Sequence, residues 1–203
     1  MLTFRRNILS GLLFLAPSLL FAAPQTYSLS GFHAKNQIAF FSKATVEDFE
    51  GTASDVAGSV AVDFSKPNLN LRAVVSVPVH SMSTGLTLKD THMKSREWLD
   101  AEHYPVIQFT LLPATKQKVV RKGNDEWVIQ SVGEFTLKGQ SKQITVPVVL
   151  KKNGDDILIK GQFLVPIQEF GIRGPTATRI IGLKVSSDVK VTFKLVGKTE
   201  KGW

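Results

Sequence analysis

Apolar and polar residues alternate along most of this chain with a period of two. Between residues 56 and 64, the even-numbered positions are apolar or glycine, while the odd-numbered positions are small or polar. Similar runs occupy residues 106–112, 127–137 and 157–167. Because a period of two puts successive side chains on opposite faces of a β-strand, each run predicts a strand with one buried face. The whole chain contains about eight such runs.

Turn residues separate the predicted strands. Asn153-Gly154-Asp155 is typical of a tight hairpin, and Gly123-Asn124-Asp125 lies at the tip of a second one. Asn36 suits a turn between two early apolar runs. Pro147 has no N–H to donate and predicts a free edge or a bulge in its strand. A succession of strands joined by tight turns favours one antiparallel sheet that closes on itself, an all-β fold.

One segment departs from the alternation. Asp90 is predicted to cap a short helix by accepting the amide protons of His92 or Met93. Met93 and Trp98 give that helix an apolar face, and a following proline must end it. We therefore expect a short helical flap around residues 86–103, inserted between two strands.

An eight-stranded barrel is just wide enough to be filled by side chains or to hold one small ligand. Several inward positions are small, namely Gly58, Ala73, Gly133 and Gly161, and this leaves room for an apolar ligand. The alternative is that aromatic rings from neighbouring strands fill the space. The side chains predicted to line the lumen are Phe40, Val60, Val62, Val75, Val77, Ile107, Phe109, Phe135, Val148, Ile159, Phe163, Val189, Val191 and Phe193.

The start of the chain predicts export. Arg5 and Arg6 precede an apolar stretch that ends near Ala22, the arrangement of a cleaved secretory signal peptide. We expect a signal peptide at residues 1–22, one domain at residues 23–203 and a periplasmic location. The chain has no cysteine, so disulfides, thiol catalysis and zinc–thiolate sites are excluded.

The net charge is +8, and it falls to +6 without the two arginines of the leader. A basic surface suits an anionic head group, transient contact with a membrane surface, or simple solvation. Nucleic acid is a poor partner, because the chain lacks a cluster of aromatic and basic residues. Nothing in the pattern decides between a monomer and a homodimer.

The mouth of the barrel is where a polar head group would lie. Arg173 and Arg179 flank a glycine–proline loop and suit an anion. Trp98 suits a ring that covers the opening. The predicted flap and mouth residues are Asp90, His92, Met93, Trp98, Arg173 and Arg179.

A metal site and a hydrolytic site are two further hypotheses for the flap segment and the residues next to it. His92 and His103 would need Asp90 or Asp100 to share a metal ion, but their spacing matches no recognised zinc pattern. A hydrolytic site would use His80 with Asp90 and His92, yet no nucleophile-elbow motif supports it. We predict no metal, no cofactor other than a bound lipid, and no enzyme activity.

The chain resembles the YceI family over nearly all of residues 23–203. The matching segments are Ser83-Thr84-Gly85, residues 90–95 (DTHMKS), Tyr104-Pro105, residues 40–63, residues 133–147 (GEFTLKGQSKQITVP), residues 170–172 (FGI) and residues 182–185 (GLKV). The loop from Arg173 to Ile181 departs from the family pattern.

The resemblance implies a function as well as a fold. It implies a lipocalin-like antiparallel barrel in the periplasm that binds a long isoprenoid lipid, polyprenyl or quinone-like, or a related amphiphile in its lumen. The family has no established catalysis. Two rival functions stay open, a secreted hydrolase and a ligandless envelope-stress interaction module. An exposed apolar patch would favour the second of these.

Overall fold

The computed structural model describes residues 24–30, 36–43, 48–66, 70–113, 117–123, 125–173 and 186–199. The predicted signal peptide lies outside this part of the chain. The strands are β1 Gln25–Ser28, β2 Gln37–Ser42, β3 Phe49–Ala53, β4 Ala57–Val62, β5 Arg72–Pro78, β6 Met82–Ser83, β7 Val106–Leu111, β8 Lys118–Lys122, β9 Glu126–Leu137, β10 Gln140–Asn153, β11 Asp156–Pro166 and β12 Asp188–Thr199. Helix α1 spans Thr87–Lys94, and two 3₁₀ turns span Val79–Ser81 and Ile167–Phe170.

The strands form one antiparallel sheet that closes into an eight-stranded barrel. The ring runs β1–β4–β5–β7–β9–β10–β11–β12 and returns to β1. The other four strands, β2, β3, β6 and β8, are each the second half of a barrel strand or its first half, separated from the other half by a short break. For example, β1 and β2 both pair with β12, and β7 and β8 both pair with β9. Each of the first four barrel strands is therefore broken in two, and the predicted all-β, eight-stranded antiparallel barrel is confirmed.

Buried side-chain amides replace the missing backbone bonds at two of these four breaks. Asn36 lies between β1 and β2, where its Oδ1 accepts the N–H of Val196 at 2.7 Å. Gln117 lies between β7 and β8, where its Oε1 accepts the N–H of Val132 and its Nε2 donates to the carbonyl of the same residue, both at 2.9 Å. A buried backbone group without a partner is costly, so these amides replace the missing ladder bonds. Asn36 was expected only to form a turn.

The predicted hairpins are present, but the prediction for Pro147 is only half right. The β10–β11 hairpin closes with Asn153 opposite Asp156, and Gly154 at its tip has φ of 61°. Pro147 is paired with Gln130 of β9 inside the barrel wall. On the other side, however, the ladder with β11 begins only at Val148. Pro147 therefore lies where β10 is paired with β9 but is no longer paired with β11. A proline is tolerated at such a position, because no N–H is needed on the unpaired side.

The flap contains a shorter helix than predicted. Met93 is the buried residue of α1, whereas Trp98 is half-buried and lies in the turns that follow the helix. The predicted cap was wrong, because Leu86 occupies the N-cap position and Asp90 lies inside the helix. No helix among the described residues is long and apolar enough to span a membrane.

Candidate ligand-binding cavity

The barrel encloses two cavities that follow one another along its lumen. The inner cavity has a volume of ≈ 170 Å³, and the outer cavity, under the flap, has ≈ 320 Å³. They share five lining residues, Phe40, Met82, Ile107, Phe135 and Val191. The two spaces are therefore compartments of one lumen, separated by a ring of apolar side chains.

Hydrocarbon surrounds the inner cavity almost completely. Apart from Gln108 and Ser131, every described residue that lines it is hydrophobic. Gln108 belongs to the outward-facing set of β7, where its amide bonds the hydroxyl of Thr110 at 3.2 Å. Such a space offers water too few partners, so it suits an apolar chain.

Phenylalanine rings lie against glycines of neighbouring strands. A Cβ added at any of these glycines would collide with the ring beside it; the pairs are Gly51 with Phe40, Gly133 with Phe109, and Gly161 with Phe193. The expectation that small residues leave empty space needs correction, because aromatic rings cover two of them. The glycines instead let the rings lie along the wall, which keeps them from crossing the lumen. Ala73 does line the inner cavity, whereas Gly58 faces the carbonyl of Val74.

Thirteen of the fourteen predicted lumen residues line one or both cavities. The exception is Val62, which is fully buried but borders neither cavity. It lies two residues before Phe64, at the end of the barrel that is filled with side chains. Alternation predicts which face a residue occupies, and it carries no information on depth along the barrel.

Aromatic rings close this end, which we call the packed end. The ring of Phe64 stands edge-on to Tyr27, with centroids 6.3 Å apart, and tilts against Trp127 at 4.9 Å. Tyr27 and Trp127 are buried, and burial raises the pKa of the Tyr27 hydroxyl. These rings cover the inner cavity at this end of the lumen.

The outer cavity combines an apolar wall with three polar side chains. Met93 and Trp98 of the flap line it, and so do Ser42, Lys89 and His92, while no carboxylate of the described residues does. The sequence analysis did not predict Lys89 and Ser42 as lining residues, although their spacing from predicted lining residues could have indicated them. Lys89 is one helical turn before Met93, and Ser42 shares a strand face with a predicted lumen residue.

The flap is tied to the barrel rim through Asp90. Its carboxylate accepts the hydroxyl protons of Ser83 and Thr84, both at 2.7 Å, and the amide proton of Thr84 at 2.6 Å. These bonds, that from Ser83 foremost, lower the pKa of Asp90. The N–H of Asp90 is itself bonded to the carbonyl of Leu86 within the helix, and the Asp90 side chain turns back to the loop that precedes α1.

The predicted mouth residues do not form one group. His92, Met93 and Trp98 line the outer cavity, whereas Asp90 ties the flap down. Arg173 is exposed and lines neither cavity, and Arg179 lies outside the described residues.

Of the groups considered for a hydrolytic or a metal site, His103 and Asp100 lie together, and the rest do not join them in one cluster. The carboxylate of Asp90 bonds hydroxyl and amide groups, while His80 Nε2 lies 3.8 Å from a carboxylate oxygen of Asp55. His103 Nδ1 lies 2.8 Å from Asp100, and this hydrogen bond raises the pKa of His103. Within the part of the chain that the structure describes, no three acidic or histidine side chains are grouped as metal ligands would be.

Sequence comparison identifies related proteins. The family model described as the YceI-like domain matches residues 28–197. A UPF0312 protein of Pseudomonas syringae pv. tomato is 26% identical over 154 residues, 73% of each chain. The protein YceI of Escherichia coli O6:H1 is 30% identical over 106 residues, which are 52% of this chain and 51% of that protein.

Solved structures share the fold. BcnA of Burkholderia cenocepacia has a TM-score of 0.68 and 23% identity, covering 83% of this chain and 98% of its own. A polyisoprenoid binding domain from Saccharophagus degradans has a TM-score of 0.66 and 16% identity, covering 87% and 99%. At these identities the likeness is one of fold.

Proposed function

Because the chain belongs to the YceI-like domain family, whose model matches residues 28–197, we propose that it is an exported carrier of a long isoprenoid lipid or a related amphiphile. The observation that carries this proposal is a two-compartment apolar lumen that is closed at the packed end and covered by a short flap at the other. The related fold of a polyisoprenoid binding domain supports the ligand class.

The energetics favour a hydrocarbon chain. Removing apolar surface from water contributes roughly 25 cal/mol per Å², or about 0.8 kcal/mol for each buried CH₂ group. Ligand pockets of about 300–1,000 Å³ hold small molecules, and the outer cavity at ≈ 320 Å³ reaches that range before the inner cavity is added. A polyprenyl or quinone-like tail would thread from one compartment into the next. Sequestering such a tail requires binding alone, so the function needs no catalytic group.

The flap also provides a site for brief contact with a membrane. Leu86 and Leu88 are 52% and 70% exposed at the start of α1, directly beside the covered opening. Inserting a leucine side chain into an apolar phase yields about 1.5–3 kcal/mol at most, so two of them support only reversible contact. A carrier that loads from a membrane would use such a surface. The periplasmic location and the homodimer remain predictions.

The test compares two valine-to-tryptophan variants in the full chain, produced with its own leader. Val191 lines both compartments, whereas Val120 is 55% exposed on β8. We expect native mass spectrometry of wild type to show a lipid-sized mass adduct, which Val191→Trp loses and Val120→Trp keeps. Circular dichroism checks that both variants are folded. If Val191→Trp does not fold, Ala73→Phe serves as a second variant that fills the lumen. A wild type that is free of lipid and takes up none from vesicles would overturn the proposal.

A further inference from the structure

Two buried serines line the lumen, one in each compartment. Ser42 lines the outer cavity and is 2% exposed, and Ser131 lines the inner cavity and is 1% exposed. Ser42 continues the inward face of β2, on which Ile38 and Phe40 are the preceding members. A buried hydroxyl costs free energy unless it is hydrogen-bonded. The partner of each hydroxyl therefore decides whether that serine supports the fold alone.

Ser42 combines a position on the lumen with a hydroxyl that has no partner. Among the described residues, the buried side-chain nitrogen and oxygen atoms without a hydrogen bond are Ser42 Oγ and Trp127 Nε1. Trp127 borders neither cavity, and Ser131 Oγ is not one of these atoms. Unpartnered buried polar atoms are uncommon in folded proteins because their desolvation is uncompensated. The hydroxyl of Ser42 is therefore free to serve a ligand.

The barrel wall around Ser42 presents hydrocarbon. Ser42 is paired with Phe49 of β3, and the ladder between β2 and β12 ends one residue earlier, at Phe41. Phe40, Phe49 and Val191 line the same cavity. Rotation about the Cα–Cβ bond alone redirects a serine hydroxyl. An oxygen of a ligand that lies against this wall can thus accept the Ser42 proton.

The position of Ser42 on the wall distinguishes it from the other polar lining residues of the outer cavity. Lys89 and His92 belong to α1, so they move with the flap. Ser42 belongs to β2 and stays in the wall. A hydrogen bond from Ser42 would therefore hold a ligand to the barrel itself.

We infer that Ser42 Oγ donates a hydrogen bond to an acceptor oxygen of the bound lipid, such as a carbonyl, ether or hydroxyl oxygen. Ser42 thereby favours oxygen-bearing lipids over hydrocarbons of the same size. This inference rests on the proposed carrier function and adds the chemical group that is recognised and its place in the outer compartment. The rest of the ligand then occupies the inner cavity, which is lined mainly by hydrophobic side chains.

Two probes that differ in one atom test the inference. They are farnesyl methyl ether and the hydrocarbon in which CH₂ replaces the ether oxygen. The delipidated full chain is incubated with phosphatidylcholine vesicles that contain equal amounts of both, and mass spectrometry of the extracted lipid gives the ratio of bound ether to bound hydrocarbon. Ser42→Ala should lower this ratio about two- to tenfold, the effect of losing one neutral hydrogen bond.

Ser131→Ala is the matched control, because it removes the same hydroxyl group from the inner cavity. We expect the ratio of bound ether to bound hydrocarbon to be that of wild type, since the ether oxygen lies in the outer compartment. A ratio that falls in Ser131→Ala and not in Ser42→Ala would place the oxygen in the inner cavity and overturn the inference.

The stability of the empty protein separates ligand recognition from a structural role. Ser42→Ala should leave the melting temperature of the delipidated protein unchanged or raise it, because the lost hydroxyl has no partner there. Thermal unfolding followed by circular dichroism measures this temperature. A fall of several degrees would show that the hydroxyl is bonded in the empty protein, and it would overturn the inference.

The two proposals fail in different ways. If wild type and Ser42→Ala take up both probes in the same ratio, the role of Ser42 is wrong and the carrier function is intact. If wild type takes up neither probe, the carrier function itself is overturned, and the inference falls with it.

Discussion

The two ends of the barrel are closed by different means. At the packed end, the closing groups are Tyr27 and Trp127 on the wall strands and Phe64 directly after one of them. At the flap end, the closing element is α1 with its following turns, in which Met93 is the buried residue of the helix. The packed end is closed by residues of the barrel wall, whereas the flap end is closed by a separate element that lies across the opening.

Polar contacts attach the flap. Besides the bonds of Asp90, Lys94 Nζ donates to the carbonyl of His80 at 2.9 Å, and Lys138 Nζ donates to the carbonyl of Arg96 at 2.9 Å. Hydrogen bonds of this kind contribute about 0.5–1.5 kcal/mol each, and less where they are exposed.

The same barrel is therefore closed at one end by residues of the wall and at the other by a separate element, the flap, which is attached mainly by polar contacts. An element with few buried apolar contacts opens locally at much lower free energy than the global unfolding of the domain. At the packed end, Tyr27 and Trp127 are held in paired strands, so opening there disturbs the barrel wall. Ligand exchange should therefore pass through the flap end, and each prediction below tests this asymmetry.

The largest expected effect is at the packed end. Trp127→Ala should lower the free energy of unfolding by about 3–5 kcal/mol, because it leaves a cavity beneath Phe64. Trp98→Ala at the flap should cost less, since Trp98 is only half-buried. Urea denaturation of both variants measures the difference. If Trp98→Ala destabilises the protein as strongly as Trp127→Ala, the two closures are equivalent and the comparison is wrong.

A second prediction concerns the wall between the two ends. In Gly133→Ala, the new methyl group would collide with the ring of Phe109. We expect a loss of about 1–3 kcal/mol in stability from overpacking, together with weaker ligand binding as the ring moves into the inner cavity. Phe109→Leu in the same background should recover part of both, since a shorter side chain relieves the collision. No recovery would mean that the close approach of the Thr110 carbonyl, and not the Phe109 ring, requires glycine at position 133.

The sequence predicted the wall better than the ends. Strand alternation identified the barrel and nearly all of its lining, because a period of two is a local property. It misplaced Val62, whose depth depends on how neighbouring strands are staggered. The repair of the broken strands by Asn36 and Gln117 was equally inaccessible, since each partner is distant along the chain.

The position of the flap in the chain was predicted, but the hydrogen bonds that attach it to the barrel were not. Its position followed from the loss of alternation, but Asp90 was assigned to the helix cap. Whether such a carboxylate caps a helix or bonds a loop is decided by the approach of Ser83, which belongs to the barrel rim. Local sequence signals carry no information on that approach.

The smallest predicted effect is the response of the flap to acid. The pKa of Asp90 is lowered in the folded protein, above all by the hydroxyl of Ser83, so its contribution to holding the flap is present above the unfolded pKa of about 3.9. That contribution is lost as the pH falls through the lower, folded value. We expect amide hydrogen exchange in α1 to accelerate at acid pH while β9 and β10 remain protected.

Asp90→Asn provides the control for this response. The amide is neutral throughout, so α1 of the variant should exchange faster at neutral pH and show little further change in acid, once intrinsic exchange rates are divided out. His103 gives an effect of opposite sign, because its pKa is raised by the bond to Asp100 and its contribution fades as the pH rises through the folded value. A wild-type flap whose protection is unchanged at both extremes would show that apolar contacts, and not these polar ties, hold the cover in place.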